Sequence, residues 1–96
     1  MYILNQSETE IHNSEFVERF CIVIKPDVSL IVASTGRETQ PVTMGRYKNI
    51  KEAQKVLFEL FYAISHGKSS YELPLSEVVA PEKHIKDARV KRKGGS

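Results

Sequence analysis

Patterns that carry chemistry are scarce in this chain. A single cysteine, Cys21, excludes an internal disulfide, so packing alone must hold any core. Cys21 sits inside an apolar, β-branched run, where a free cysteine behaves as a small buried hydrophobe, and only Arg19 is a nearby cation that could activate a thiol. His12, His66 and His84 lie far apart. None is spaced from another histidine or from Cys21 as metal ligands are, so no metal site is expected. Glycine-rich phosphate loops are missing: Gly36 and Gly45 are isolated, and Gly94-Gly95 has no helix behind it. No serine occupies a G-x-S-x-G elbow, and the carboxylates fall in polar connections or on an outer helix face. These absences argue against an enzyme and against a bound cofactor. No apolar run approaches the roughly 20 residues that span a bilayer, and the N-terminus lacks the basic and apolar regions of a signal peptide. The expectation is a soluble, cytoplasmic protein with no membrane contact.

What the sequence does contain is a helix with both ends marked. Asn49 is a good N-cap, its side-chain oxygen able to accept from the first turn, and Glu52 stands three residues on to complete a capping-box-like pair. Gly67 suits the left-handed stop, and His66 lies beside the negative end of the helix dipole. Between them Ile50, Ala53, Val56, Leu57, Leu60, Phe61, Ala63 and Ile64 recur at steps of three and four, which predicts one broad apolar stripe against a core. Each large side chain removed from water is worth roughly 1.5–3 kcal/mol, so the stripe is the main hydrophobic store of the chain.

The surface it would cover lies upstream. Residues 19–25 and 28–35 are rich in β-branched side chains and too short for helices, and Pro26-Asp27 between them predicts a tight antiparallel hairpin. A turn at Gly36-Arg37 leads to a third strand over residues 40–47, with Gly45 as the place for a bulge. Tyr2-Ile3-Leu4 reads as a fourth strand, and a short one is expected around Ile11. Strands first and one long helix after them predict an α+β fold: a small antiparallel sheet of three to four strands, packed on one face by a single helix. At 96 residues there is room for one small core. The compact domain is expected over residues 1–74.

Charge is unevenly spread. The net charge of +2 hides a near-neutral body and a basic C-terminal extension, residues 75–96, where Lys83, Lys86, Arg89, Lys91, Arg92 and Lys93 stand against Glu77, Glu82 and Asp87. Pro74 and Pro81 punctuate this segment. A weakly amphipathic helix after Pro81 is expected, too weak to form alone.

The opening Met-Tyr-Ile-Leu-Asn-Gln, the Gly45-Arg46-Tyr47 before Asn49, the helix from Lys51 to Ile64 and the closing Tyr71-Glu72-Leu73-Pro74 resemble a group of small proteins common in prophages of Gram-positive bacteria. Members typically begin with a MYIL-like strand, enter a single helix through a GxY segment and end near a YxxP motif. The resemblance covers residues 1–74 and implies a phage setting and a β-sheet-plus-helix fold. It carries no catalytic residue onto this chain. The extension from Leu75 departs from the pattern.

Two features point beyond the fold. The helical wheel places Phe58, Tyr62, Lys51 and Lys55 together on the face opposite the stripe. A fold-back of the segment around Leu73, Leu75 or Val78 would cover these aromatics; otherwise they form an interaction patch or a homodimer seam. Arg89, Lys91, Arg92 and Lys93 supply four cations within five residues, an electrostatic contact for nucleic acid or an acidic protein that reads no sequence. The expected function is therefore that of a non-enzymatic phage accessory protein that binds a host or phage protein, as an inhibitor of a defence or nucleic-acid-processing protein. Direct nucleic-acid binding through the basic tail is the alternative.

Overall fold

The computed structural model describes residues 1–36 and 40–76. Among the described residues, two three-stranded sheets and one helix make up an α+β fold. The first sheet has the order β2 (Ile11–Asn13), β1 (Tyr2–Leu4), β6 (Ser70–Glu72), antiparallel between β1 and β2 and parallel between β1 and β6. The second is the antiparallel meander β3 (Arg19–Ile24), β4 (Ser29–Ser34), β5 (Val42–Tyr47). A 3-10 turn, Ser14–Phe16, connects the two, capped by Asn13, whose side chain accepts from the Glu15 amide. The helix, α1 (Ile50–Ser65), leads from β5 to β6.

Pro26-Asp27 forms the tip of the β3–β4 hairpin, closed by Lys25 N–H donating to Val28 O at 2.9 Å. Proline fixes φ at the first corner and has no N–H to waste there. The Tyr2–Leu4 strand does not extend this meander as a fourth strand. It seeds the other sheet, because β1 spends one edge on β2 and the other on β6.

A bulge falls beside Gly45. Ile31 faces Gly45 but Val32 faces Thr43, so Met44 is the extra residue of β5. Inserting one residue turns the following side chains over. Met44 and Tyr47, three apart, therefore both enter the core. Gly45 is required by close approach: a Cβ there would lie 2.8 Å from the Tyr47 ring and 3.1 Å from a Leu73 methyl.

Asn49 caps the helix as its position implies, accepting from Glu52 N–H at 2.9 Å. Glu52 Oε1 reaches one residue further back, to the Lys48 amide at 2.9 Å. At the other end Lys68 N–H donates to Ala63 O and Gly67 N–H to Ile64 O, with Gly67 at φ +67°. This pair of bonds is the Schellman arrangement, and it needs a left-handed residue where glycine stands.

The core joins Ile3, Ile31, Ala33, Met44, Tyr47, Ala53, Val56, Leu60 and Leu73. Ala53 and Ala63 are buried on the side of α1 that packs against β3, β4 and β5. The predicted stripe is correct along this line and too wide beyond it. Phe61 is 65% exposed, Ile50 and Ile64 are exposed too, and Leu57 is only partly covered. Three strands offer a narrow bed, and a helix centred on its buried alanines overhangs it on the β3 side.

Candidate functional site: an aromatic row and an apolar groove on the helix

Successive residues turn a helix by about 100°, so Phe58, Tyr62 and His66 climb one side of α1, with Lys51 and Lys55 beside them. Phe58 is 70% and Tyr62 54% exposed. The Tyr62 and His66 rings stack with centroids 3.8 Å apart and planes 20° from parallel. Lys68 Nζ lies 5.8 Å from the centre of the Tyr62 ring, within reach of a cation–π contact. His66 Nδ1 is 3.0 Å from Tyr62 O and Ser65 Oγ donates to the same carbonyl at 3.1 Å, which ties the last turn together.

The carboxylates nearest this row are turned away. Glu59 Oε1 accepts the Tyr71 hydroxyl at 3.0 Å rather than pairing with Lys55. Burial pushes the Tyr71 phenol up from its ordinary value of 10.0, and the hydrogen bond to Glu59 and the negative charge it carries push further in the same direction. Glu52 is committed to the N-terminal cap and to the Ser76 hydroxyl, which donates at 2.7 Å. The outer face of α1 is thus aromatic and cationic.

The predicted cover for Phe58 and Tyr62 does not form from Leu73, which is fully buried in the core instead. Val78 lies outside the described residues. So do Arg89, Lys91, Arg92 and Lys93, the four cations expected to contribute to a contact. Of the expected contact residues, the structure places Lys51, Lys55, Phe58 and Tyr62 on one exposed face.

Around the helix from this row, toward β3, is an open groove of about 530 Å³. Phe20 and Ile22 of β3 form its floor, and Leu57, Phe58, Phe61 and Ile64 its wall. Reading the sequence for one amphipathic stripe misses this groove. The signal was present in the width of the stripe. Apolar side chains extend from Ala63 round to Phe58 over far more than the ~100° arc a single buried face needs, so one bed cannot cover them all.

The residues of the three motif segments converge elsewhere, on a polar clamp. Gln6 Nε2 donates to Arg46 O (3.0 Å) and to Pro74 O (3.1 Å), while its Oε1 accepts from Arg46 N–H at 2.8 Å. Gln6 N–H donates to Met44 O, and the Tyr47 hydroxyl to Pro74 O at 2.8 Å. With Gln6 and Tyr47 both buried, the clamp fixes the two sheets to each other and to the segment after β6. Its chemistry is structural: its donors meet backbone acceptors, with no open, converging polar groups.

Among the described residues no three His, Cys, Asp or Glu side chains gather as metal ligands do, and no helix is long and apolar enough to cross a membrane. No family model matches this chain, and neither curated proteins nor solved structures give a match.

Proposed function

We propose that this is a small binding protein that docks a macromolecular partner, a host or phage protein, on the outer face of α1. The observation that carries this reading is the exposed pair Phe58 and Tyr62, flanked by Lys51, Lys55 and Lys68 with the neighbouring carboxylates engaged elsewhere. Exposed aromatics are the side chains that dominate contact energies, and lysines around them favour a partner with acidic groups at its rim. The prophage-like motif segments support a phage setting. In that setting the reading extends to an accessory factor that blocks a defence nuclease or another nucleic-acid-processing protein.

The test compares the wild type with the double variant Phe58→Ala/Tyr62→Ala for capture of a partner from bacterial lysate, read by mass spectrometry. Both side chains are exposed, so the fold, followed by circular dichroism, should persist. Recovery of the specific partner should fall at least about tenfold. Equal recovery by both proteins rejects the assignment.

Direct nucleic-acid binding is the second reading, favoured by the stacked Tyr62 and His66 rings beside lysines. Titration with single-stranded and duplex DNA at two salt concentrations separates the two. Micromolar binding that weakens steeply with salt supports nucleic acid, and no binding at low salt removes it.

A further inference from the structure

We propose that two copies of this protein pair through the free edges of β3, joining their meanders into one six-stranded antiparallel sheet, with Cys21 facing its symmetry mate across the two-fold axis.

The first ground is the edge itself. Among the described residues β3 pairs only with β4. The bond from Lys25 N–H to Val28 O fixes which main-chain groups face inward. Hydrogen-bonded pairs alternate along an antiparallel ladder, so in the observed register Val23–Leu30, Cys21–Val32 and Arg19–Ser34 are the bonded pairs. The N–H and C=O groups of Phe20, Ile22 and Ile24 therefore point to the open edge. That edge is six residues long and carries no charge or proline between Arg19 and Ile24. Natural sheets protect such an edge, because it templates pairing with any exposed strand.

The second ground is self-complementarity. A two-fold axis perpendicular to the sheet keeps each residue on its own face, so only registers that pair residues of equal parity are allowed. Centring the axis on Ile22 sets Arg19 directly opposite Lys25 of the other copy, twice, and like charges across a strand pair are destabilising. A centre at Val23 sets Pro26, which has no N–H, against Phe20. The centre at Cys21 avoids both within the strand: Phe20 lies opposite Ile22 on the groove face and Arg19 opposite Val23 on the other, and the ladder ends before Glu18, whose N–H is already given to Ser34 O. In that register the main-chain groups of Phe20 and Ile22 meet as hydrogen-bonded pairs, and Cys21 meets Cys21 at a non-bonded pair.

The third ground is area. Ile24, Phe61 and Ile64 are exposed, and Phe20, Ile22 and Leu57 are only partly covered. Together they leave on the order of 400 Å² of apolar surface along the groove, from a Phe side chain of roughly 200 Å² and its smaller neighbours. A standard interface buries about 800 Å² per partner, a little over half of it apolar. The groove and the edge of one copy thus supply what each half of a stable dimer needs, and pairing closes the two grooves against each other. Tyr62, Lys51 and Lys55 do not line the groove, whereas Phe58, which also walls it, stands at the rim of the seam.

The decisive experiment uses the full chain. Sedimentation under reducing conditions across the micromolar range should show a dimer, and Ile22→Lys, which sets a charge beside the axis, should return it to monomer with an unchanged circular dichroism spectrum. Cysteine then reads the register without relying on that variant. Non-bonded antiparallel partners have Cα atoms about 4.5 Å apart, within the ~4.4–6.8 Å that a disulfide spans. Mild copper oxidation should link the wild type through Cys21 into a covalent dimer, while Cys21→Ser/Val23→Cys, whose new thiol faces Arg19, should link at least about tenfold more slowly. A monomer throughout the concentration range overturns the proposal. Faster linking through position 23 than through position 21 overturns it as well.

Discussion

Gly45 has no room for a side chain, because the Tyr47 ring and Leu73 already occupy the place of its Cβ. Gly45→Ala must push a ring that is pinned through its hydroxyl to Pro74 O, and overpacking of this kind costs about 1–3 kcal/mol. Urea unfolding should show the loss as a lower midpoint with an unchanged slope; a midpoint equal to the wild type would mean that the ring yields freely. Tyr71 gives a different handle. Its phenol is held protonated above its ordinary value of 10.0, first by burial and then by Glu59. The sign follows from linkage: the folded state keeps a proton that the unfolded chain releases, so this contribution is intact below about pH 10 and is lost as pH rises beyond it. The difference in phenolate absorbance between wild type and Tyr71→Phe isolates this group. In Glu59→Gln the same difference should appear at lower pH, since the negative charge is gone while the acceptor remains. Coincident titrations would remove Glu59 as a cause.

At the scale of elements, α1 depends on its ends as much as on its stripe. Asn49→Ala removes the acceptor of Glu52 N–H and should cost about 1 kcal/mol. Gly67→Ala should cost a similar amount for another reason. Nothing lies within 4 Å of the added Cβ, so the penalty is the left-handed φ alone. Thermal melts of the two single variants and the double variant check both, and the effects should add, because the caps lie at opposite ends of a 16-residue helix. These ends were legible in the sequence because capping is local chemistry: one side chain, one amide, three residues apart. The hairpin at Pro26-Asp27 and the bulge beside Gly45 were legible for the same reason. The extent of the stripe was not. Whether Phe61 and Ile64 are covered depends on how far the sheet reaches under α1, which is set by strands 25 to 45 residues away in the chain. The row of Phe58 and Tyr62 needed only the helical period, so it was readable. The groove beside it needed β3, and that required the tertiary arrangement. The strand at Ser70–Glu72 escaped as well, since three residues with one aromatic carry no periodicity and pair only because β1 offers a free edge.

For the whole molecule, the question is what keeps two small three-stranded sheets in fixed relation. The hydrophobic core spans both, but apolar contact is non-directional, and the direction comes from Gln6. Its amide binds Arg46 on β5 and Pro74 after β6 at once, with both ends of the side chain in use. Losing it leaves the part-buried N–H and carbonyl of Arg46 without this partner, at about 1–3 kcal/mol for each group left unsatisfied, while Pro74 O keeps the Tyr47 hydroxyl. Gln6→Ala should therefore destabilise the protein by several kcal/mol without dependence on pH. Gln6→Glu separates geometry from hydrogen bonding. The carboxylate can still accept from Arg46 N–H but offers nothing to the Arg46 and Pro74 carbonyls, and as a buried anion it is desolvated. Its folded pKa must then rise above the ordinary value near 4.3. A raised pKa means that the variant is most stable when protonated, so stability should fall as pH rises from about 4 through that raised value, and recover on acidification when the acid proton serves one carbonyl. Urea midpoints for Gln6→Glu and wild type at pH values on either side of this range decide the matter, with the wild-type curve subtracted to remove the other carboxylates. A gap between them that stays constant with pH would mean that Gln6 acts through shape alone. A gap that widens toward neutral pH shows that an ionised carboxylate cannot replace the amide in this clamp.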